Sequence, residues 1–172
     1  MNLKKKIRNI PDFPQKGIIF RDIAPLLEDK EALQDMARKL AEKFRGQKID
    51  KVVGIDARGF ILAGILADRL GAGMVMVRKK GKLPSKTESE EFDLEYGKAV
   101  LEIHKDSIQP GEKVLLVDDV LATGGTMAAA AKLVERLKGK IIGVAFLIIL
   151  DYLPGRERLK DYNLFSLVSY QK

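Results

Sequence analysis

The chain has 172 residues, of which 46% are apolar and 32% charged, which suits one domain with its own core. It contains no cysteine, so disulfides, thiolate metal sites and cysteine nucleophiles are excluded. Its net charge of +7 points to a polyanionic partner, small or polymeric, although the sparse aromatics and absent Trp do not suggest a platform for stacking single strands.

In chain order, MNLKKKIRNIPDFP is basic but lacks the apolar core of a signal peptide. Residues 1–30 include a segment, with PDFP and GIIFRD, that reads as a hood packed on one end of the body. Leu33, Met36, Ala37, Leu40, Ala41 and Phe44 recur at helical spacing and predict an amphipathic helix over 30–45. KVVGID at 51–56 predicts a short buried strand, Phe60 to Leu70 a deeply packed helix, and GMVMVR at 73–78 a second strand. Residues 79–97 are polar and charged, and a stretch of this length is functional or disordered. It reads either as a flexible catalytic loop or as a β-arm ahead of a strand at 98–104. Val114 to Asp118 predicts a third strand, Met127 to Leu137 its helix, and Ile141 to Leu150 a fourth strand too short to span a membrane. Strands alternating with helices predict an α/β fold: a central, mainly parallel sheet flanked by helices, in a single domain over 1–172. Ligands then bind where the strands end. A soluble, cytoplasmic protein is expected, with no membrane and no nucleic-acid partner.

The strongest local signal is VLLVDDVLATGGT at 114–126. An apolar run meets two adjacent acids, then a Thr/Gly turn, then an alanine-rich helix starting near Thr126. Glycines let a backbone approach a phosphate closely, and a helix N-terminus directs free N–H groups and its positive dipole end there. Asp118 and Asp119 would repel that phosphate, so they suit ligand hydroxyls or a divalent cation beside it. As composition alone, the same string is also an ordinary connection in an α/β unit.

The exact string closely resembles the phosphoribosyl pyrophosphate loop of the type I phosphoribosyltransferases. PDFP, GIIFRD, GIDARGF, RKKGKLP and LEYGK follow in order, and this set resembles the adenine-specific branch of that family along nearly the whole chain. The resemblance implies the type I phosphoribosyltransferase fold and Mg²⁺-dependent transfer of a 5-phosphoribosyl group to adenine, giving AMP and pyrophosphate in purine salvage by a homodimer. Mg²⁺ would be held mainly through substrate pyrophosphate and hydroxyls.

It also implies site residues. Asp118 and Asp119 would meet the ribose hydroxyls, and Ala122, Thr123, Gly124, Gly125 and Thr126 the 5′-phosphate. Ala57 and Arg58, with Lys79 and with Arg78 reaching across the dimer interface, would meet pyrophosphate. Ile19, Phe20, Arg21 and Val120 would surround adenine. Glu95 would be the acid/base near the purine, and Tyr96 part of the closing loop. A non-proline cis bond at Asp56–Ala57 is implied as well, with a backbone role for Ala57, where serine is common in relatives. Residues 85–93 match only loosely. His104, the sole histidine, reads as structural, and Glu95 without LEYG would read as one solvated acid in an acidic run.

Two other readings stay open: transfer to an oxopurine, since specificity rests on few contacts, and a non-catalytic nucleotide sensor on the same fold. No GxxxxGK[ST] or GxGxxG occurs to suggest Walker-type or dinucleotide binding.

Overall fold

A computed structural model describes residues 1–94 and 97–171. A 3-10 turn at Leu3–Lys6 leads into an antiparallel hairpin of β1 (Arg8–Pro11) and β2 (Ile19–Asp22), then α1 (Ala24–Glu28) and α2 (Lys30–Lys43). Asp29 caps α2 by accepting the Ala32 N–H at 2.9 Å, as short acids do at helix starts. The apolar stripe of α2 is buried through Ala32, Met36, Ala37 and Leu40.

Next come β3 (Lys51–Ile55), α3 (Gly59–Leu70), β4 (Gly73–Lys79), β5 (Thr87–Asp93), β6 (Lys98–His104), β7 (Lys113–Leu121), α4 (Gly125–Arg136), β8 (Lys140–Leu150), α5 (Gly155–Arg158) and β9 (Leu164–Tyr170). The sheet order is β5-β6-β4-β3-β7-β8-β9. Strands β4, β3, β7, β8 and β9 run parallel, and the β5–β6 hairpin joins antiparallel at one edge.

Period-2 alternation divides the core into two faces. Val52, Leu115 and Ala145 pack with α2 and α3. Their neighbours Val53, Leu116 and Val144 pack with α4. These strands are therefore apolar on both sides, as a covered parallel sheet requires, and each fully buried aliphatic side chain contributes roughly 1.5–3 kcal/mol.

The expected α/β sheet, helices and hood segment are present, with differences. The stretch 79–97 is not one structureless loop. Residues 87–93 pair with β6 from Thr87↔His104 to Asp93↔Lys98, so the β-arm alternative describes them. β7 does not stop at Asp118: it continues to Leu121, because β8 keeps pairing with it through Leu121↔Ile149. Its pairing with β3 ends earlier, at Gly54↔Val117. Asp118 and Asp119 thus have a paired strand on one side and an open crevice on the other. α1, α5 and β9 have no counterpart among the sequence-predicted elements.

Candidate active site

The chain returns on both sides of β3, to β4 and to β7. Such a switch point leaves a crevice beyond the carboxyl ends of the strands. The end of β3 delivers Asp56, Ala57 and Arg58 to it, and the Asp56–Ala57 peptide is cis. β7 delivers Asp118 and Asp119. A cavity of about 490 Å³ lies between them, roofed by residues 18–21 of the hood and walled by Phe92 and Leu94 of the arm.

Arg58 ties the two strand ends together. Its Nε lies 2.7 Å from Asp119 Oδ2, and its guanidinium carbon sits 5.0 Å from the Phe20 ring centre. Asp119 is 6% exposed, so the Arg58 charge is the counterion beside a carboxylate largely removed from water. Asp118 Oδ1 accepts the Asp119 N–H at 2.9 Å. Burial, then the neighbouring Asp119 charge, push the Asp118 carboxyl well above the usual carboxylate range, while the Asp119 N–H and Arg58 pull the other way. Gly59 is what lets α3 start so close: a Cβ there would lie 2.7 Å from Asp118 Oδ1 and 3.2 Å from the Val117 carbonyl oxygen.

The turn after β7 opens α4 with Gly124 at φ 81° as its N-cap. Gly155 of α5 backs this turn so tightly that a Cβ on it would lie 2.3 Å from the Ala122 carbonyl oxygen. Arg158 follows against the turn, its Nη1 3.0 Å from a Cβ placed on Gly125. Neighbouring cations pair with acids, Arg156 with Asp151 and Lys160 with Glu157. Among the described residues Arg158 has no such partner. A cation at a helix N-terminus opposes the dipole, so an anion at this turn would relieve it.

The structure brings most of the sequence-predicted site residues to this cavity. Ile19, Phe20, Arg21, Ala57, Arg58 and Lys79 line it, as do Asp118, Asp119, Val120, Ala122 and Thr126. Thr123, Gly124 and Gly125 carry the turn between Ala122 and Thr126 without lining the cavity. Arg21 is buried, its guanidinium carbon 3.9 Å above the Tyr170 ring centre while Nη1 donates to Asn9.

Arg78 stands apart from the cavity of its own chain. It does not line the cavity: its Nε donates to Asp56 Oδ2 at 3.0 Å and an Nη reaches the Lys82 carbonyl. Burial pushes the Asp56 carboxyl up, but the Arg78 hydrogen bond and the Lys82 and Arg78 charges outweigh it, and the carboxyl stays below its ordinary range. Arg78 thus braces Asp56, the residue before the cis peptide. Glu95 and Tyr96 lie outside the described residues. Sequence reasoning missed Phe92, Leu94 and Arg158. Phe92 was legible as the one aromatic residue in an acidic run, and Arg158 only as one of a basic group.

Among the described residues no three His, Cys, Asp or Glu side chains gather as a metal cage. No helix among them is long and apolar enough to cross a membrane.

The family model of the phosphoribosyl transferase domain matches residues 24–171. The adenine phosphoribosyltransferase of Geobacter metallireducens is 56% identical over 168 residues, covering 98% of each chain. The crystal structure of the adenine phosphoribosyltransferase of Thermoanaerobacter pseudethanolicus superposes with a TM-score of 0.95 at 49% identity, covering 98% of each chain. The Giardia lamblia enzyme, crystallised with 9-deazaadenine, superposes with a TM-score of 0.94 at 40% identity, covering 99% of this chain and 97% of that one.

Proposed function

This chain belongs to the phosphoribosyl transferase family, and on that premise we propose how its cleft transfers a 5-phosphoribosyl group from 5-phosphoribosyl 1-pyrophosphate to adenine, giving AMP and pyrophosphate. The chain is an adenine phosphoribosyltransferase by its full-length similarity to enzymes of that name. The single observation that carries the residue assignment is the Arg58–Asp119 contact, 2.7 Å long. It puts an anion-binding group and a diol-binding group side by side at the crevice.

In this reading the 5′-phosphate sits on the N–H groups of residues 122–126 at the start of α4, with Arg158 alongside. That anchor lies far from the reacting bond and uses remote binding for orientation. Asp118 and Asp119 take the ribose hydroxyls. Arg58 turns from Asp119 to the pyrophosphate, joined by Lys79 and the Ala57 backbone, while Arg78 holds Asp56 behind them. Adenine lies between the hood residues Ile19 and Phe20 and Val120, with Phe92 and Leu94 closing the wall against water. The bond from the anomeric carbon to the pyrophosphate oxygen breaks as the bond to the purine nitrogen forms. Fixed cations stabilise the departing polyanion. Glu95, assigned by LEYGK alone, takes the proton on the imidazole edge.

The donor set fits Mg²⁺, which binds through one or two carboxylates plus substrate oxygens rather than in an all-protein cage. Asp118 and Asp119 would hold it beside the ribose, where it would supply charge neutralisation for the leaving group. A homodimer is supported by an apolar surface on α3 and β4, where Ile61, Met74 and Met76 are 43%, 39% and 43% exposed. We place the reaction in the cytoplasm, as a step of purine salvage.

Mixing pure protein with adenine, the activated sugar and Mg²⁺ should release AMP, with turnover well above that on guanine, hypoxanthine or xanthine. Equal or faster reaction with an oxopurine would overturn the base assignment. Glu95→Gln should slow chemistry and leave sugar binding intact; unchanged turnover would remove Glu95 from its role.

A further inference from the structure

We propose that Glu90 is a positioning residue that fastens the β5–β6 arm to α4 and thereby sets the wall of the cleft for catalysis. Glu90 is 8% exposed, in the middle of a strand at the sheet edge. The other glutamates of β5 pair within the hairpin, Glu88 with Lys105 and Glu91 with Lys98. Glu90 is instead the glutamate of β5 that bonds to α4. Its Oε1 accepts Lys132 Nζ at 3.0 Å and its Oε2 accepts Arg136. Arg136 also donates to the Ser89 carbonyl at 2.6 Å.

The register of these contacts follows from helix and strand periods. Gly125, Lys132 and Arg136 are separated by seven and four residues, so they stack on one face of α4. Along β5, Glu90 and Phe92 are two apart and face the same way. The arm thus lies along α4 with Glu90 at Lys132 and Arg136. Phe92 lies at the helix start, its Cδ2 3.5 Å from a Cβ placed on Gly125. Ala128 lies between them on the helix and, like Phe92, is partly buried against the core of this face.

The Lys132 hydrogen bond, aided by the Arg136 and Lys132 charges, outweighs burial and holds the Glu90 carboxyl below its ordinary range. It is therefore ionised at neutral pH, and its two bonds are charge-assisted. Nothing in packing demands an acid here, since a buried apolar side chain would cover α4 as well. What the acid adds is a fixed registration. The helix whose first turn holds the sugar phosphate also holds the strand that brings Phe92 and Leu94 to the cavity and leads into residue 95. The role of Glu90 rests on the transferase reading; the physical attachment does not.

The experiment therefore has two readouts on the full-length protein. Amide hydrogen exchange, without substrates, should quicken by about tenfold across 87–93 in Glu90→Ala, as expected for losing a charge-assisted hydrogen bond, and stay native in β3 and β7. In steady-state assays the same variant should lose about tenfold in kcat for AMP formation, while the directly measured Kd for the activated sugar stays within about twofold. Lys132→Ala with Arg136→Ala should reproduce both effects, and adding Glu90→Ala to that pair should change neither further, the signature of one shared interaction. Native exchange in the arm, or faster exchange with native kcat, overturns the proposal. So does an equal loss through weakened sugar binding alone. A native protein that makes no AMP from adenine would instead sink the transferase reading, with the exchange result still reporting on the attachment.

Discussion

Asp118→Asn isolates the electrostatic cost of the acidic pair. The replacement is isosteric, and its amide oxygen can still accept the Asp119 N–H now bonded at 2.9 Å. Burial first, and then the Asp119 charge, raise the Asp118 carboxyl well above its ordinary 3.8. A group raised in this way binds more protons folded than unfolded. Its contribution to stability is complete below 3.8 and is lost as pH climbs through the raised value. Asparagine has no charge to bury at any pH, so the variant should match the native protein in acid and exceed it at neutral pH. Relief of strain of this kind at a functional site is worth about 1 kcal/mol. For a chain of this length, that is a melting temperature higher by ~2–4 °C. Thermal melts at stepped pH from the ordinary 3.8 upward, without ligand, read the difference, which arises from the one titrating group that only the native protein carries. A gap that opens with rising pH supports the reasoning. Equal melting temperatures at the alkaline end, or a gap that widens on acidification, refute it. Sugar binding should weaken in the same variant, stability and function moving in opposite directions.

Gly155→Ala places a Cβ 2.3 Å from the Ala122 carbonyl oxygen and 2.8 Å from Leu121 Cδ1. Overpacking of this kind costs about 1–3 kcal/mol, so denaturant melts should show that loss together with a higher KM for the activated sugar; a native value of both would show that the turn does not need this close support. Met74→Lys with Met76→Lys should convert a dimer to monomers in sedimentation velocity, and an unchanged sedimentation coefficient would remove this surface from the interface. The Asp35 carboxyl is held down to about 2 by the Lys39 hydrogen bond first, with Arg38 and the amino terminus adding, against burial. Its support to folding is present above the ordinary 3.8 and lost as pH falls toward about 2. Asp35→Asn should therefore melt lower at neutral pH and converge with the native protein in strong acid, and a constant offset in acid-unfolding scans would contradict this.

The body of the fold was legible because its signals are local. Leu33 to Phe44 repeat at helical period, and the runs 51–55, 114–117 and 141–150 are apolar on both faces of a buried sheet. The acid–glycine string marked the ligand end of β7 for the same reason. What escaped depends on partners distant in sequence. β5 is rich in Glu, a poor strand former, and is a strand because β6 pairs with it and α4 receives Glu90, whose partner Lys132 lies 42 positions further on. β9 becomes a strand by completing the sheet beside β8. The approach of Arg158 to the phosphate turn depends on Gly155 docking against Ala122. Arg78 was legible as a basic group near the cleft; that it would hold Asp56 instead of lining the cavity was not, because the choice is made by the geometry at the end of β3.

The contact between Arg58 and Asp119 bears on which molecules the cleft turns away. A simple anion that drew the guanidinium aside would strand a carboxylate from which water is largely excluded. A neutral polyol that engaged the carboxylate would leave the guanidinium without its counterion. Only a molecule bearing vicinal hydroxyls and a pyrophosphate on one ring satisfies both groups at once. On the proposed assignment of these two residues, discrimination against inorganic phosphate and against ordinary sugars would rest on the protein's own ion pair, before any purine is engaged.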